Sequence, residues 1–165
     1  MERFRDQGEA MCDAANHLAL VGKVQEAAGY FQRARDVGAA HGFFSVESKA
    51  CLGLGRVAMD EGRLEEGADL LRNALAASSL REDEDDTYME LEVLVQLIDA
   101  LFWTHAFDEV EPLILRFRKA AEAKSLQDGR VSFCYWELES LYASARLHEV
   151  GNPSTPRLLS SRHGR

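Results

Sequence analysis

A thirteen-residue stretch recurs forty positions further along this chain, and that repetition constrains the fold more than any single motif. GKVQEAAGYFQRA at 22–34 aligns with GRLEEGADLLRNA at 62–74, pairing Gly22 with Gly62, Glu26 with Glu66, Ala28 with Ala68 and Ala34 with Ala74. A period between about 20 and 50 residues marks supersecondary units that stack, because one unit cannot bury its apolar face alone. Such stacks present a long curved surface, the geometry of a binding scaffold.

The residues between the repeats are helical in character. Only three prolines occur in 165 residues, and two of them, Pro153 and Pro156, stand in the last thirteen, so long stretches are free of helix breakers. With 46% hydrophobic residues and apolar positions recurring at spacings of three and four, the chain reads as all-α. Gly22, Gly42 and Gly62 supply left-handed turn positions. They divide the first half into helices near 4–21, 24–40, 44–61 and 64–79. The polar segment 78–87 reads as a loop before a fifth helix near 87–104, capped by Asp86 or Thr87. A turn at His105 follows, then a sixth helix opened by a D-x-x-E capping box of Asp108 and Glu111, with Phe107 as its staple and Pro112 in its first turn. A seventh helix is expected over 128–150, with Val131, Cys134, Leu138, Leu141 and Ala145 on one stripe. Residues 151–165 form a tail.

Composition excludes several classes of function. The 28 acidic residues against 19 basic give a formal charge of −9, which repels a nucleic-acid backbone. Charged residues open the chain where a signal sequence would carry an apolar core, and no apolar run of about 18 residues occurs. A cytoplasmic protein without membrane association is the expectation. Cys12, Cys51 and Cys134 are widely spaced, lack a C-x-x-C pair, and read as buried reduced thiols.

The small and large positions carry a family resemblance. Ala15 and Gly55, Ala27 and Gly67, Phe31 and Leu71, and Ala34 and Ala74 resemble the pattern of tetratricopeptide repeats, in which small side chains let two helices of a hairpin cross closely. The forty-residue period is similar to the longer repeats of kinesin light chain and Pins-type proteins. The resemblance implies an α-solenoid of antiparallel hairpins at about 4–40, 44–79 and 87–125, with a partial fourth at 128–150. The third hairpin departs from the pattern, having Ile98, Val110 and Phe117 where small residues are expected.

In this family the first helix of each hairpin lines the ligand groove. Aligned on Gly22, Gly62 and His105, the groove positions are Glu9, Cys12, Asn16 and Ala19, then Lys49, Leu52, Arg56 and Met59, then Glu92, Val95, Asp99, Phe102 and Trp103. Asn16, Lys49, Leu52, Arg56, Asp99, Phe102 and Trp103 are the expected contacts to a peptide or partner helix. The carboxylate clamp of chaperone-binding members is not expected, since of its positions only Asn16 is retained and Glu92 would repel an anionic ligand.

Other chemistry finds no support in the sequence. Residues 82–92 hold seven acids but lack the glycine of an EF-hand loop, and read as helix capping and solubility. His148 and Glu149 begin an H-E-x-x-H motif without its second histidine. Neither an enzyme nor a cofactor is expected. The reading is a protein-interaction scaffold, or else a structural segment of a larger repeat protein. A second apolar set on the seventh helix, including Phe133, Trp136 and Leu147, predicts truncation from a longer parent, self-association, or cover by the Leu158–Leu159 part of the tail.

Overall fold

The computed structural model describes residues 1–80 and 87–122, together with Cys134, Trp136, Leu138, Ser140 and Leu141. Among these the regular structure is wholly helical: α1 (Glu2–Leu20), α2 (Val24–His41), α3 (Phe44–Asp60), α4 (Leu64–Ser79), α5 (Thr87–Trp103), a 3-10 turn (Phe107–Glu109) and α6 (Val110–Glu122). The first five helices lie within two residues of their expected limits. Most of the expected seventh helix, and the capping of α5, lie outside the described residues. Those that are described between 134 and 141 are helical, with Cys134 and Leu138 buried in the core and Leu141 packed against it.

Three helix ends close in the same way. After α1 the Gly22 N–H donates to the Ala19 carbonyl at 3.0 Å and the Lys23 N–H to Leu18 at 2.9 Å. After α3 the Gly62 N–H reaches Met59 at 3.0 Å and the Arg63 N–H reaches Ala58 at 2.8 Å. After α5 the His105 N–H reaches Phe102 at 3.3 Å and the Ala106 N–H reaches Leu101 at 3.0 Å. This crossed pair of bonds is the Schellman motif, which satisfies the last carbonyls of a helix and needs a residue at positive φ. Gly22, Gly62 and His105 have φ of 80°, 76° and 57°. His105 thus occupies the turn position assigned to it by alignment, but as an L-residue it carries the left-handed strain that glycine avoids.

The sixth helix starts differently from expectation. Phe107–Glu109 forms a 3-10 turn with Ala106 as its N-cap residue and without a side-chain capping bond. Asp108 lies inside that turn, so it does not act as an N-cap and the D-x-x-E box does not open the helix. Pro112 is the third residue of α6, where its missing N–H leaves no intrahelical bond unmade.

Short turns after α1, α2, α3 and α5 fold each of these helices back against the next. Each helix packs on the next, from α1 on α2 through α5 on α6, and the first helices α1, α3 and α5 also touch in order. Ala15 of α1 and Ala27 of α2 are both fully buried in one cluster with Phe31. In the second hairpin, a Cβ placed on Gly55 would lie 3.3 Å from the Gly67 carbonyl oxygen and 2.8 Å from Leu71 Cγ. Gly53 faces the other way, and a Cβ there would sit 2.3 Å from the Phe31 ring. The third hairpin replaces this small-residue seam with bulk, for Ile98, Val110 and Phe117 are at most 3% exposed.

The core is heaviest around α5. Leu91, Val93, Leu94, Val95, Leu97, Ile98, Ala100 and Leu101 are each no more than 2% exposed, so this helix is mostly buried, with only a strip carrying Glu92, Gln96, Asp99 and Trp103 reaching the surface. It is enclosed by α3, α4 and α6 and by Cys134 and Leu138. The first hairpin holds only two small clusters, one around Cys12, Ala34, Val46 and Ala50 and one around Phe31. At about 1.5–3 kcal/mol for each large apolar side chain buried, apolar stabilisation falls off toward α1. The fully buried Ser48 hydroxyl meets its hydrogen-bonding requirement by donating to the Ala74 carbonyl of α4 at 2.9 Å.

Candidate functional site

Residues thirteen, ten, six and three places before each Schellman turn residue lie on one side of a helix, since they are separated by three, four and three. On α1, α3 and α5 these rows are Glu9, Lys49 and Glu92; Cys12, Leu52 and Val95; Asn16, Arg56 and Asp99; and Ala19, Met59 and Phe102. Contact between successive first helices brings the rows side by side.

One row belongs to the core. Cys12, Leu52 and Val95 are 1%, 4% and 1% exposed, so Leu52, expected to touch a ligand, lies beneath the face. Cys12 lies in one buried cluster with Val46 and Ala50 of α3, and Leu52 in another with Val95 of α5, so apolar burial outweighs any role at the surface there.

The charges on the face are largely committed to one another. Lys49 Nζ donates to Glu9 Oε2 at 3.3 Å, joining α3 to α1, and Arg56 Nη2 donates to Glu92 Oε1 at 2.6 Å, joining α3 to α5. All four side chains remain 32–39% exposed, so each pair contributes about 0.2–1 kcal/mol at most. Asn16 and Ala19 are exposed at the α1 end.

At the α5 end the arrangement changes. Asp99 is half-buried, and burial pushes its carboxyl above the ordinary range while the Trp103 indole N–H, one turn later, pulls it back. Trp103 is 63% exposed. Phe102 packs against the core with its ring 6.0 Å from that of Phe107, which also meets His105 edge-on at 5.6 Å. The expected residues Asp99, Phe102 and Trp103 therefore share one end, whereas Lys49 and Arg56 serve the seams between helices and Asn16 stands apart.

A shallow cleft of about 520 Å³ lies on the other side, between the second helices α4 and α6, with Leu97 of α5 at its base. Arg72 spans one end to Glu109 at 2.7 and 3.1 Å, and Arg116 spans the other to Ser79 at 2.8 Å and Glu90 at 2.7 Å. Nothing in the repeat pattern marked these arginines, whose spacing resembles that of ordinary solvated charges on an outer helix face.

Two of the thiols, Cys12 and Cys51, are poor nucleophiles. All three cysteines are buried, and burial pushes Cys12 up to about 12 and Cys51 up to about 11, so both are protonated at neutral pH. Among the described residues there is no group of three His, Cys, Asp or Glu side chains able to hold a metal ion. Among them, too, no helix is long and apolar enough to cross a membrane. Trp136 is 74% exposed, while Phe133, Leu147 and the tail expected to cover it lie outside the described residues. No protein-family model matches the chain, and no curated protein matches it.

Proposed function

We propose that this chain is a tetratricopeptide-like α-solenoid that acts as a protein-interaction scaffold, receiving a peptide or partner helix on the face formed by α1, α3 and α5. The observation that carries the reading is the threefold recurrence of one turn geometry at Gly22, Gly62 and His105 together with the ordered contact of the first helices. Identical turns set equivalent hairpins in register, and stacked hairpins share a continuous surface. The face is preformed, so binding would need little reorganisation, and Phe102 and Trp103 provide apolar area at one end. No catalytic step and no cofactor form part of this reading.

Selection of binders from a displayed random peptide library on the immobilised chain tests it. Trp103→Ala and Arg56→Glu are each expected to weaken selected peptides by about tenfold or more while leaving the melting curve cooperative. Binding indifferent to both substitutions in folded protein would move the site to another surface, the α4–α6 cleft being the first to examine.

A second reading, that the chain is a structural segment of a larger repeat protein, is favoured by the Glu9–Lys49 and Arg56–Glu92 pairs, which use the charges of the face to stitch neighbouring hairpins. Selection yielding no peptide at all would favour it.

A further inference from the structure

The charge rows of the first-helix face leave one member unmatched. Glu9 and Lys49 pair across α1 and α3, and Arg56 and Glu92 pair across α3 and α5. In the row six residues before each turn, Asn16 is neutral and Arg56 is held by the next hairpin, but Asp99 has no cation beside it among the described residues. Its neighbour is Trp103, a large ring left 63% exposed one helical turn away.

These two groups complement one kind of ligand. A carboxylate offers a guanidinium two acceptor oxygens, and the indole contact leaves acceptor capacity on Asp99. An indole is also the best of the aromatic faces for a cation, and attraction is stronger at a half-buried carboxylate than in open water. A formal charge of −9 on the whole chain assists approach of a cationic segment.

We infer that Asp99 and Trp103 form a receptor for one basic side chain of a bound peptide, arginine in preference to lysine. The inference rests on the reading of the first-helix face as a peptide-binding surface and specifies the chemistry of what binds there. An arginine fits better because its planar fork can engage the carboxylate while its flat face lies on the indole, whereas an ammonium does only one of these well.

The test is selection from a displayed random dodecapeptide library against the full chain, repeated against Asp99→Asn and Trp103→Phe, with melting curves taken for each protein. The wild-type chain is expected to enrich arginine at one peptide position by about tenfold over the starting library, with replacement of that arginine by lysine weakening binding a few-fold. Asp99→Asn is expected to remove the enrichment while the protein still binds peptides, and Trp103→Phe to reduce the preference for arginine over lysine. Should Asp99→Asn fail to fold, loss of that preference in Trp103→Phe still supports the receptor, and its persistence overturns it. Peptides selected without a basic position, or arginine enrichment undiminished by Asp99→Asn, overturn the receptor and leave the binding face standing. A library that yields no peptide overturns both.

Discussion

Gly55 and Gly67 meet backbone to backbone across the second hairpin: a Cβ on Gly55 would stand 3.3 Å from the Gly67 carbonyl oxygen, and one on Gly67 would stand 3.2 Å from the Gly55 carbonyl oxygen. This is the close crossing that the small-residue pattern of the repeats implies, with Ala15 and Ala27 at the equivalent positions of the first hairpin. The two glycines differ in what else surrounds them, and that difference sets their tolerance. Beside Gly55 stands the buried Leu71, with its Cγ 2.8 Å from the added carbon, while beside Gly67 stands the flexible Met59 thioether at 2.7 Å.

Gly55→Leu is therefore expected to lower stability by about 1–3 kcal/mol or more through overpacking, and Gly53→Ala to do likewise by driving a methyl into the Phe31 ring. Gly67→Ala should be milder, because Met59 can swing aside. Urea unfolding of the three variants checks the order; Gly67→Ala proving the worst would show that the seam is rigid on the Met59 side.

The turn residues give an opposed pair of expectations. No atom lies within 4 Å of a Cβ on Gly62, so Gly62→Ala tests backbone strain alone, and at φ 76° it is expected to cost about 1 kcal/mol. His105 already holds φ 57°, so His105→Gly relieves that strain while giving up the edge contact with Phe107. A net gain of up to about 1 kcal/mol is expected. Equilibrium denaturation decides it, and a clear loss of stability would mean that the His105 ring contributes more than its backbone conformation costs.

Stability is expected to be unevenly distributed along the chain. The amides of α5, which contributes most to the largest buried cluster, should exchange with solvent most slowly, and those of α1, held by two small clusters, most quickly among the six helices described. Native-state hydrogen exchange measures this directly. Uniform protection from α1 to α6 would show that the hairpins unfold as one cooperative unit.

Alkaline conditions should destabilise the fold through its thiols. Burial holds Cys12 at about 12 and Cys51 at about 11, against 9.0 for an unperturbed thiol. Because the folded pKa values are raised, the unfolded chain releases these protons first as pH increases. Their contribution is fully present below pH 9.0 and is lost progressively as pH rises through the folded values. Denaturation midpoints at about pH 8 and about pH 10.5 should differ more for the wild-type chain than for a Cys12→Ala, Cys51→Ala variant. An identical pH dependence in both would assign the alkaline loss to other groups.

Much of this architecture is legible in the sequence because it is written in local terms. Helix limits follow from apolar spacing and from residues able to hold positive φ, and His105 is identifiable as the turn between the fifth and sixth helices. Close crossings are visible as small residues at fixed distances from those turns. The tertiary structure decided what depends on distant partners. Arg56 and Glu92 are 36 positions apart and Lys49 and Glu9 are 40, so only packing of the hairpins reveals that these charges are engaged with each other. Packing also sank Leu52 into the core, drew Asp108 into a 3-10 turn in place of a cap, and opened the cleft between α4 and α6. Each of these turns on separations between side chains on different helices, a quantity that spacing along one helix does not contain.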